Sequence, residues 1–125
     1  MTHVEFRPAR AKDIAKFCRY AVPDRFAGTV MTIDGEIAAM GLLVWDALDR
    51  AWCVLEVTAD ITAVRFTFWR AIRKFFPAAK RTCRELYCLQ DPAKPMAESL
   101  IRALGFVDTG ETLNGYKVHK WASKP

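Results

Sequence analysis

The stretch "AWCVLEVT", residues 51–58, has the pattern of a β-strand that is apolar on both faces. Successive side chains of a strand point to opposite faces of the sheet, and both alternating sets here are apolar except at Glu56 and Thr58. Strands of this kind lie inside a sheet and are covered on both sides. The sequence therefore predicts a central strand over 51–58, with Glu56 as its one charged side chain.

The residues before this strand predict two further strands joined by hairpins. The dipeptide Asp34-Gly35 separates the apolar runs "GTVMTI" and "EIAAMGLLVW", and Asp-Gly between such runs is the strongest short signal for a two-residue hairpin turn. The segment "ALDR" (47–50) then turns the chain into the strand at 51–58. We therefore expect neighbouring antiparallel strands on this side of the sheet.

The two ends of the chain also carry strand signals. "HVEFRPA" (3–9) predicts a first strand, which Pro8 limits to a sheet edge or a strand end. Apolar residues at helical spacing predict a helix over 11–22 directly after it. At the other end, Asn114-Gly115 separates "FVDTGET" from "YKVHKW" and predicts a third hairpin.

The middle of the chain predicts two helices around one strand. Helical spacing of apolar residues predicts a helix over 61–76, which Pro77 ends, and a strand over 84–90. A further helix is expected over 95–104. Gly105 follows it, and glycine suits the left-handed conformation that often closes a helix.

Length and composition are those of one globular domain over 1–125. The chain has 125 residues, of which 52% are hydrophobic and 12% aromatic, enough to build a core. Its longest apolar run, 37–45, is far too short to span a bilayer, and the N-terminal residues lack the apolar region of a secretory signal. We expect a cytoplasmic protein without a membrane partner.

The cysteines and histidines do not have the spacing of a metal site. The four cysteines form no C-x-x-C pair, and the histidines are His3 and His119. We therefore expect no bound metal. Reduced cysteines that pack as small apolar side chains are the better interpretation.

Positive charge is concentrated in one segment of the chain. The net charge is +5, and residues 61–84 contain no acid but seven bases: Arg65, Arg70, Arg73, Lys74, Lys80, Arg81 and Arg84. Such a segment could face the phosphates of a nucleotide-like cofactor or of nucleic acid. A charge run on an amphipathic helix is more often only its solvated face, and the charge run by itself favours that interpretation.

The predicted order of elements, β-α-β-β-β-α-β-α-β-β, resembles that of the GNAT superfamily of acyl-CoA-dependent N-acyltransferases over nearly the whole chain. Three stretches carry the resemblance: "FRPARAKDIAKF" (6–17), "DGEIAAMGLLVW…AWCVLEVT" (34–58) and "ESLIRALGFVDTG" (98–110). It implies an α/β (α+β) fold, with a mixed, mostly antiparallel sheet of six or seven strands and helices on both faces. Gly105-Phe106 would then mark the end of a family helix and take no part in chemistry.

The resemblance also implies acetyl-CoA as the cofactor and an amine as the acceptor. Glu56 stands where family enzymes often carry a glutamate that acts as general base, directly or through water. The cofactor contacts it implies are Val57, Thr58, Arg65, Phe66, Thr67 and Arg70. The alternative for Glu56 is a salt bridge to a nearby arginine, and the sequence does not decide between the two roles.

The phosphate site departs from the family pattern. Family members usually follow the central strand with a glycine-rich loop whose N–H groups cradle the CoA pyrophosphate, but residues 62–67 contain no glycine. Arg65, with Arg70 or Arg73, would then hold the phosphates in place of glycine amides.

The general acid departs from the pattern as well. Many family members place a tyrosine five residues before the phenylalanine of Gly-Phe, where it protonates the thiolate leaving group. This position is Ile101, which has no proton to donate. Tyr87 and Tyr116 are the candidates to replace it, and the sequence does not choose between them.

A narrower resemblance, to the short GNAT-like proteins of tailed bacteriophages, accommodates the missing glycine loop. These proteins have a strand like "AWCVLEVT" and an aromatic-basic helix like "RFTFWRAIRKFF" (65–76). The alternative function is therefore a virion or assembly component, or a protein that binds a host target, located in the host cytoplasm or the virion. Nucleic-acid binding through Phe66, Phe68 and Trp69 ranks last, because aromatic residues at helical spacing more often belong to a core.

Overall fold

The computed structural model describes residues 2–17, 22–91 and 96–123 of the chain. The strands in these ranges are β1 (Val4–Pro8), β2 (Phe26–Ile33), β3 (Glu36–Trp45), β4 (Ala51–Val57), β5 (Glu85–Gln90), β6 (Val107–Leu113) and β7 (Tyr116–Ala122). The helices are α1 (Ala11–Phe17), α2 (Arg65–Thr82) and α3 (Met96–Ala103), and a 3-10 turn (Thr62–Val64) precedes α2.

The strands form a single sheet in the order β1-β2-β3-β4-β5-β7-β6. β4 and β5 pair in parallel, and all other neighbours are antiparallel. The predicted strand over 51–58 is the fourth of the seven, so its central position is confirmed. β1, which ends at Pro8, lies at an edge, where a residue without an N–H does not interrupt a ladder. The mixed, mostly antiparallel sheet is confirmed as well.

Helices cover both faces of this sheet, as expected. On one face, Ile14 of α1 is fully buried in a cluster with Met40 of β3. On the other face, Phe68 of α2 packs in a cluster with Met31 of β2. Ile101 of α3 packs against a third cluster, to which α2 also contributes, so α2 and α3 share that face.

The second half of β4 is more exposed than its sequence predicts. Ala51 and Cys53 are buried, but Leu55 is 39% and Val57 is 46% exposed. β4 pairs with β5 only near its start, so its second half lacks a neighbouring strand on that side. The prediction that β4 is covered along its whole length is therefore wrong.

α2 continues through Pro77 to Thr82, so the prediction that Pro77 ends this helix is wrong. Proline inside a helix removes one backbone hydrogen bond and costs about 3 kcal/mol. The turns beyond it are held by tertiary contacts: Ala79 is buried in the core, and Lys80 donates to the Leu104 carbonyl at 2.6 Å. The helix also begins at Arg65, later than the predicted residue 61.

The two predicted dipeptide turns are confirmed by their backbone angles. Asp34 and Gly35 have φ values of 50° and 86°, and Asn114 and Gly115 have φ values of 52° and 84°. Two successive positive φ angles are those of a type I′ turn, whose twist matches that of the flanking strands. The helix predicted over 11–22 is seen as far as Phe17, and the remainder of that prediction lies outside the described residues.

The described cysteines are unpaired thiols, as expected. Cys53 and Cys88 are buried, and Cys83 is partly buried. Burial raises the pKa of the Cys53 and Cys88 thiols to about 12. They stay protonated at neutral pH and pack as small apolar side chains. Cys18 lies outside the described residues.

A partly buried ion pair joins α1 to β1. Arg7 donates to both carboxylate oxygens of Asp13, at 2.8 and 2.9 Å, and the Arg10 amide donates to the same carboxylate at 2.9 Å. Asp13 lies in the first turn of α1 and is 4% exposed. This bidentate contact fixes the angle at which the chain leaves the edge strand and enters the helix.

We expect this ion pair to make stability fall in acid. The hydrogen bonds from Arg7 lower the pKa of Asp13 from 3.8 to about 2. The ionised form is favoured in the folded state, so the contribution is complete above the unfolded pKa and is lost as the pH falls from 3.8 towards about 2. The contribution of Asp13 to the free energy of unfolding is about 2 kcal/mol. Urea unfolding at several pH values across this range measures it.

The variant Asp13→Asn should lose this part of the pH dependence, while the exposed Asp49→Asn should keep it, since Asp49 pairs with Arg25 only at the surface. The role of Asp13 would be contradicted if plots of the free energy of unfolding against pH stayed parallel for the wild type and Asp13→Asn through the acid range.

A Schellman motif ends α3. The Gly105 amide donates to the Arg102 carbonyl at 3.0 Å, and the Phe106 amide donates to the Ile101 carbonyl at 3.2 Å. Gly105 has a φ of 96°, and Phe106 is 3% exposed in the core. The stretch "LGFV" therefore ends a helix and anchors its C-terminus.

Gly105→Ala should destabilise the protein by about 1–2 kcal/mol through its positive φ alone. The new Cβ would also lie 3.4 Å from both Lys80 Nζ and Trp121 Cδ1. Gly110→Ala is the matched control, because Gly110 has a φ of 81° but nothing within 4 Å of an added Cβ. We expect urea unfolding to show a larger loss in the free energy of unfolding for Gly105→Ala than for Gly110→Ala. Equal losses would mean that Lys80 and Trp121 move aside without cost.

Candidate functional site

β4 and β5 separate after one pair of residues. Their parallel pairing consists of Trp52 opposite Tyr87. Beyond this point, β4 stays paired with β3 as far as Val57, and β5 stays paired with β7 as far as Gln90. The two central strands therefore diverge, and a cleft opens between their C-terminal ends.

Within the described part of the chain, the β4 side of this cleft has unpaired backbone groups. The Thr58 amide donates to the Ala38 carbonyl at 2.8 Å, and the Thr58 hydroxyl donates to the Ile37 carbonyl at 2.9 Å, so both groups face β3. Backbone groups alternate between the two sides of a strand, which turns those of Leu55 and Val57 towards the cleft. An extended ligand can pair with such an edge as another strand would.

The predicted contact residues Val57 and Thr58 are thus not equivalent. Val57 faces the cleft, whereas the N–H and hydroxyl of Thr58 are already engaged with β3. Leu55 takes the second position on the cleft edge. The sequence does not indicate that Leu55, rather than Thr58, faces the cleft. Only the register between β3 and β4 decides which backbone groups of β4 point towards the cleft.

Glu56 lies on the α1 face of β4, next to the cleft. Val54, two residues before it, packs against the cluster around Ile14, and side chains two apart share a face. Glu56 is partly exposed. Among the described residues, no hydrogen bond or ion pair joins its carboxylate to another side chain. The salt bridge considered from the sequence is thus not formed in that part of the chain.

The N-terminus of α2 has no side-chain cap and no acid in its first turn. The nearby Asp60 accepts hydrogen bonds from the amide and hydroxyl of Thr62, at 2.9 and 2.6 Å, which lower the pKa of this exposed carboxyl. Phe66 is 73% exposed, and the Arg65 guanidinium lies 5.0 Å from its ring centroid. The first turn of α2 therefore presents a cation and an aromatic ring to solvent.

The bases of α2 lie on two different sides of the helix. Arg65, Arg73 and Lys80 are about two turns apart and share one side. Lys80 reaches the Leu104 carbonyl at the end of α3, so this side faces α3 and the β5 half of the sheet. Arg65 and Arg73 therefore lie on the side of α2 that is nearer to the cleft.

Arg70 and Thr67 lie on the other side of α2, where they line a cavity of about 560 Å³ between the helix and strands β1 to β4. The structure does not bring Arg70 together with Arg65. Of the two partners considered for Arg65, Arg73 is the one on the same side of the helix. At about 100° per residue, Arg73 is rotated by about 80° from Arg65 and Arg70 by about 140°, so helical spacing places Arg73 nearer to Arg65 than Arg70 is.

The position usual for the acid, Ile101, packs against the core. Of the two tyrosines considered instead, Tyr87 lies where β4 and β5 still touch, and its hydroxyl bonds to Glu85 at 3.2 Å. Tyr116 is next to Lys117, which pairs with Gln90 at the end of β5. Tyr116 therefore lies at the open end of the cleft.

Tyr116 also lies on the same face of the sheet as Glu56. Lys120, four residues further along β7, lies over the Tyr87 ring, and that ring packs on Trp52 with the centroids 5.2 Å apart. Trp52 and Glu56 occupy alternate positions of β4 and share a face, as Tyr116 and Lys120 do on β7. The fold therefore brings a carboxylate and a phenol to one face at the open end of the cleft.

Two further properties concern the described residues as a whole. Residues 2–17, 22–91 and 96–123 contain no group of three or more His, Cys, Asp or Glu side chains that could hold a metal ion. None of the helices in these ranges is long and apolar enough to span a bilayer.

The fold is that of the GNAT acetyltransferases, as comparison with solved structures shows. The ribosomal-protein-S18-alanine N-acetyltransferase of Escherichia coli superimposes with a TM-score of 0.63 at 17% identity, over 94% of this chain and 91% of the other. A spermidine/spermine N-acetyltransferase of Vibrio cholerae gives 0.58 at 14% identity, over 96% and 95%. RimJ of Mycobacterium smegmatis, solved with CoA-disulfide, gives 0.59 at 15% identity, over 96% and 82%. No family model and no curated protein matches the chain.

Proposed function

We propose that this protein is a small N-acetyltransferase that transfers an acetyl group from acetyl-CoA to an amine. The observation that carries the proposal is the divergence of β4 and β5 after Trp52 and Tyr87, which leaves a free strand edge at Leu55 and Val57. A pantetheine arm carries amide groups in an extended chain, which suits pairing with such an edge. The Glu56 carboxylate, which has no partner among the described residues, lies beside it.

The solved structures with the same fold support both substrates of the proposed reaction. Two of them acetylate amines, the alanine of a ribosomal protein and spermidine or spermine, and a third binds CoA-disulfide. The acceptor of this chain is accordingly an amine on a protein or a small molecule. The proposed location is the cytoplasm.

The residues around the cleft fit the donor acetyl-CoA. Leu55 and Val57 would pair with its extended arm. The phosphates would lie near the first turn of α2, which contains no acid and has no side-chain cap. Arg65 and Arg73 supply the positive charge, and the amides of Phe66 and Thr67 supply donors. In this way side-chain cations substitute for the missing glycine loop.

Two side chains can move protons on the open face of the cleft. Glu56 would take a proton from the acceptor amine, directly or through water, so that nitrogen can attack the thioester carbon. A cleft-facing N–H on β4 would stabilise the oxyanion. Tyr116 would return a proton to the thiolate that leaves. This assignment gives Tyr116 the role that Ile101 cannot fill.

The alternative function is a GNAT-like phage protein that binds a partner without catalysis, as a virion or assembly component. Two observations favour it: residues 62–67 contain no glycine, and Ile101 is packed in the core. Such a protein would keep the fold and have no affinity for CoA.

Calorimetric titration with acetyl-CoA separates these two functions. An acetyltransferase should bind it, and Arg65→Ala should weaken binding by about 1–3 kcal/mol, the scale of a lost charge-assisted hydrogen bond. Arg73→Ala should weaken it as well, and added salt should weaken it further, because both arginines are exposed.

Arg81→Ala is the matched control, since Arg81 is an exposed base at the far end of α2. The affinity of Arg81→Ala for acetyl-CoA should equal that of the wild type. If the wild type does not bind acetyl-CoA, the non-catalytic alternative stands. If it binds and Arg65→Ala binds equally well, Arg65 is not part of the phosphate site.

Glu56→Gln tests the proposed general base. Glutamine has nearly the same volume but cannot take up a proton, so turnover should fall by about 10²–10⁴-fold with CoA affinity unchanged. Because Glu56 has no ion-pair partner among the described residues, the free energy of unfolding should change by less than about 0.5 kcal/mol.

Acetyl transfer and thermal melts on one preparation of this variant give both quantities. If Glu56→Gln has the same turnover as the wild type, Glu56 is not the general base. A loss of about 3 kcal/mol in stability would instead indicate a buried ion pair.

A further inference from the structure

A cavity lies on the far side of α2 and adjoins the cleft between β4 and β5 at Leu55, whose backbone faces the cleft while Leu55 also lines the cavity. It measures about 560 Å³ and lies between α2 and the face of strands β1 to β4. Phe6, Met31 and Leu55 line it from the sheet, and Ala71 and Phe75 line it from the helix. The volume is within the range of small-molecule sites, about 300–1,000 Å³.

A glycine in the floor of the cavity creates part of this space. Gly41 of β3 lies between Thr29 of β2 and Leu55 of β4, and it leaves no side chain in that row. A Cβ added at Gly41 would have the Phe75 ring, at 3.9 Å, as its nearest neighbour. A methyl group at this position would just contact Phe75 of α2, and a larger side chain would enter the cavity.

Two cations at the cavity have no counter-ion among the described residues. Arg70 and Lys74 are the charged residues among those that line it, and no acid does so. They lie one helical turn apart, where like charges repel. Neither forms a hydrogen bond or an ion pair with another described residue. An apolar wall thus adjoins an uncompensated double positive charge.

We infer that this cavity binds an amphipathic anion, a single alkyl chain with a carboxylate head group. The alkyl chain would fill the apolar space over Gly41, and the carboxylate would pair with Arg70 and Lys74. A nucleotide is a poor match, because its polar groups would be buried against apolar walls without partners. The site is independent of acetyl transfer and would be present in a non-catalytic protein as well.

The test compares dodecanoate with dodecanol, which has the same chain without the charge. Calorimetry should show that dodecanoate binds and that dodecanol binds much more weakly. Met31 lines the cavity from the α2 face of the sheet, so the NMR signal of its methyl group should shift on titration with dodecanoate. Arg70→Gln combined with Lys74→Gln should weaken binding by about 3- to 20-fold, because both cations are exposed. Arg81 is an exposed base of α2 that does not line the cavity, so Arg81→Gln should leave the affinity for dodecanoate unchanged.

Filling the cavity should abolish binding. Gly41→Leu places a side chain in the floor, and Ala71→Phe does so from the helix, so the second remains as a test if the first does not fold. Circular dichroism verifies the fold of each. Equal binding of dodecanol and dodecanoate, wild-type affinity in a folded filling variant, or binding to phosphatidylglycerol vesicles without binding of free dodecanoate would each overturn the inference.

Discussion

The parallel contact between β4 and β5 is the constraint on which the rest of this structure depends. It joins two antiparallel groups of strands, β1 to β4 and β5 to β7, through Trp52 opposite Tyr87. The two rings pack with their centroids 5.2 Å apart, and the Arg50 guanidinium lies over both. Because the junction is confined to this end, the strands diverge beyond it. The same divergence explains why Leu55 and Val57 are exposed although their sequence is that of a buried strand.

The helix α2 packs on one face of the sheet, and its residues fall on three sides. One side enters the core through Phe68, Ile72 and Ala79. A second side carries Arg65 and Arg73 towards the cleft, and a third carries Arg70 and Lys74 along the apolar cavity. The segment without acids that stands out in the sequence therefore distributes its bases around α2, from Arg65 at its first turn to Arg70, Arg73 and Lys74 further along.

The proposed chemistry uses groups that the fold leaves without partners. The buried Asp13 is bound by Arg7 and serves the structure, whereas the partly exposed Glu56 has no partner among the described residues. Lys80 is likewise structural, since it bonds to the end of α3 and lies over the Trp121 ring. Charged groups that already have partners stabilise the fold, and those without partners remain available to a ligand.

The sequence by itself determined most of the secondary structure and the position of β4. Two hairpin turns follow from Asp34-Gly35 and Asn114-Gly115, because these residue types favour the positive φ angles of such turns. The C-terminus of α3 follows from Gly105 in the same way. Both apolar faces of 51–58 placed that strand in the middle of the sheet, and helical spacing located α2, because burial imposes a period on side chains.

Only the tertiary structure decided the length of α2 beyond Pro77, the exposure of the second half of β4, and the choice of Leu55 over Thr58 at the cleft. It also brought Tyr116 to the same face as Glu56. These features depend on strand register and on contacts between residues distant in the chain, such as Lys80 with Leu104. Local patterns do not encode such contacts, because the energy that stabilises them arises only when the elements pack together.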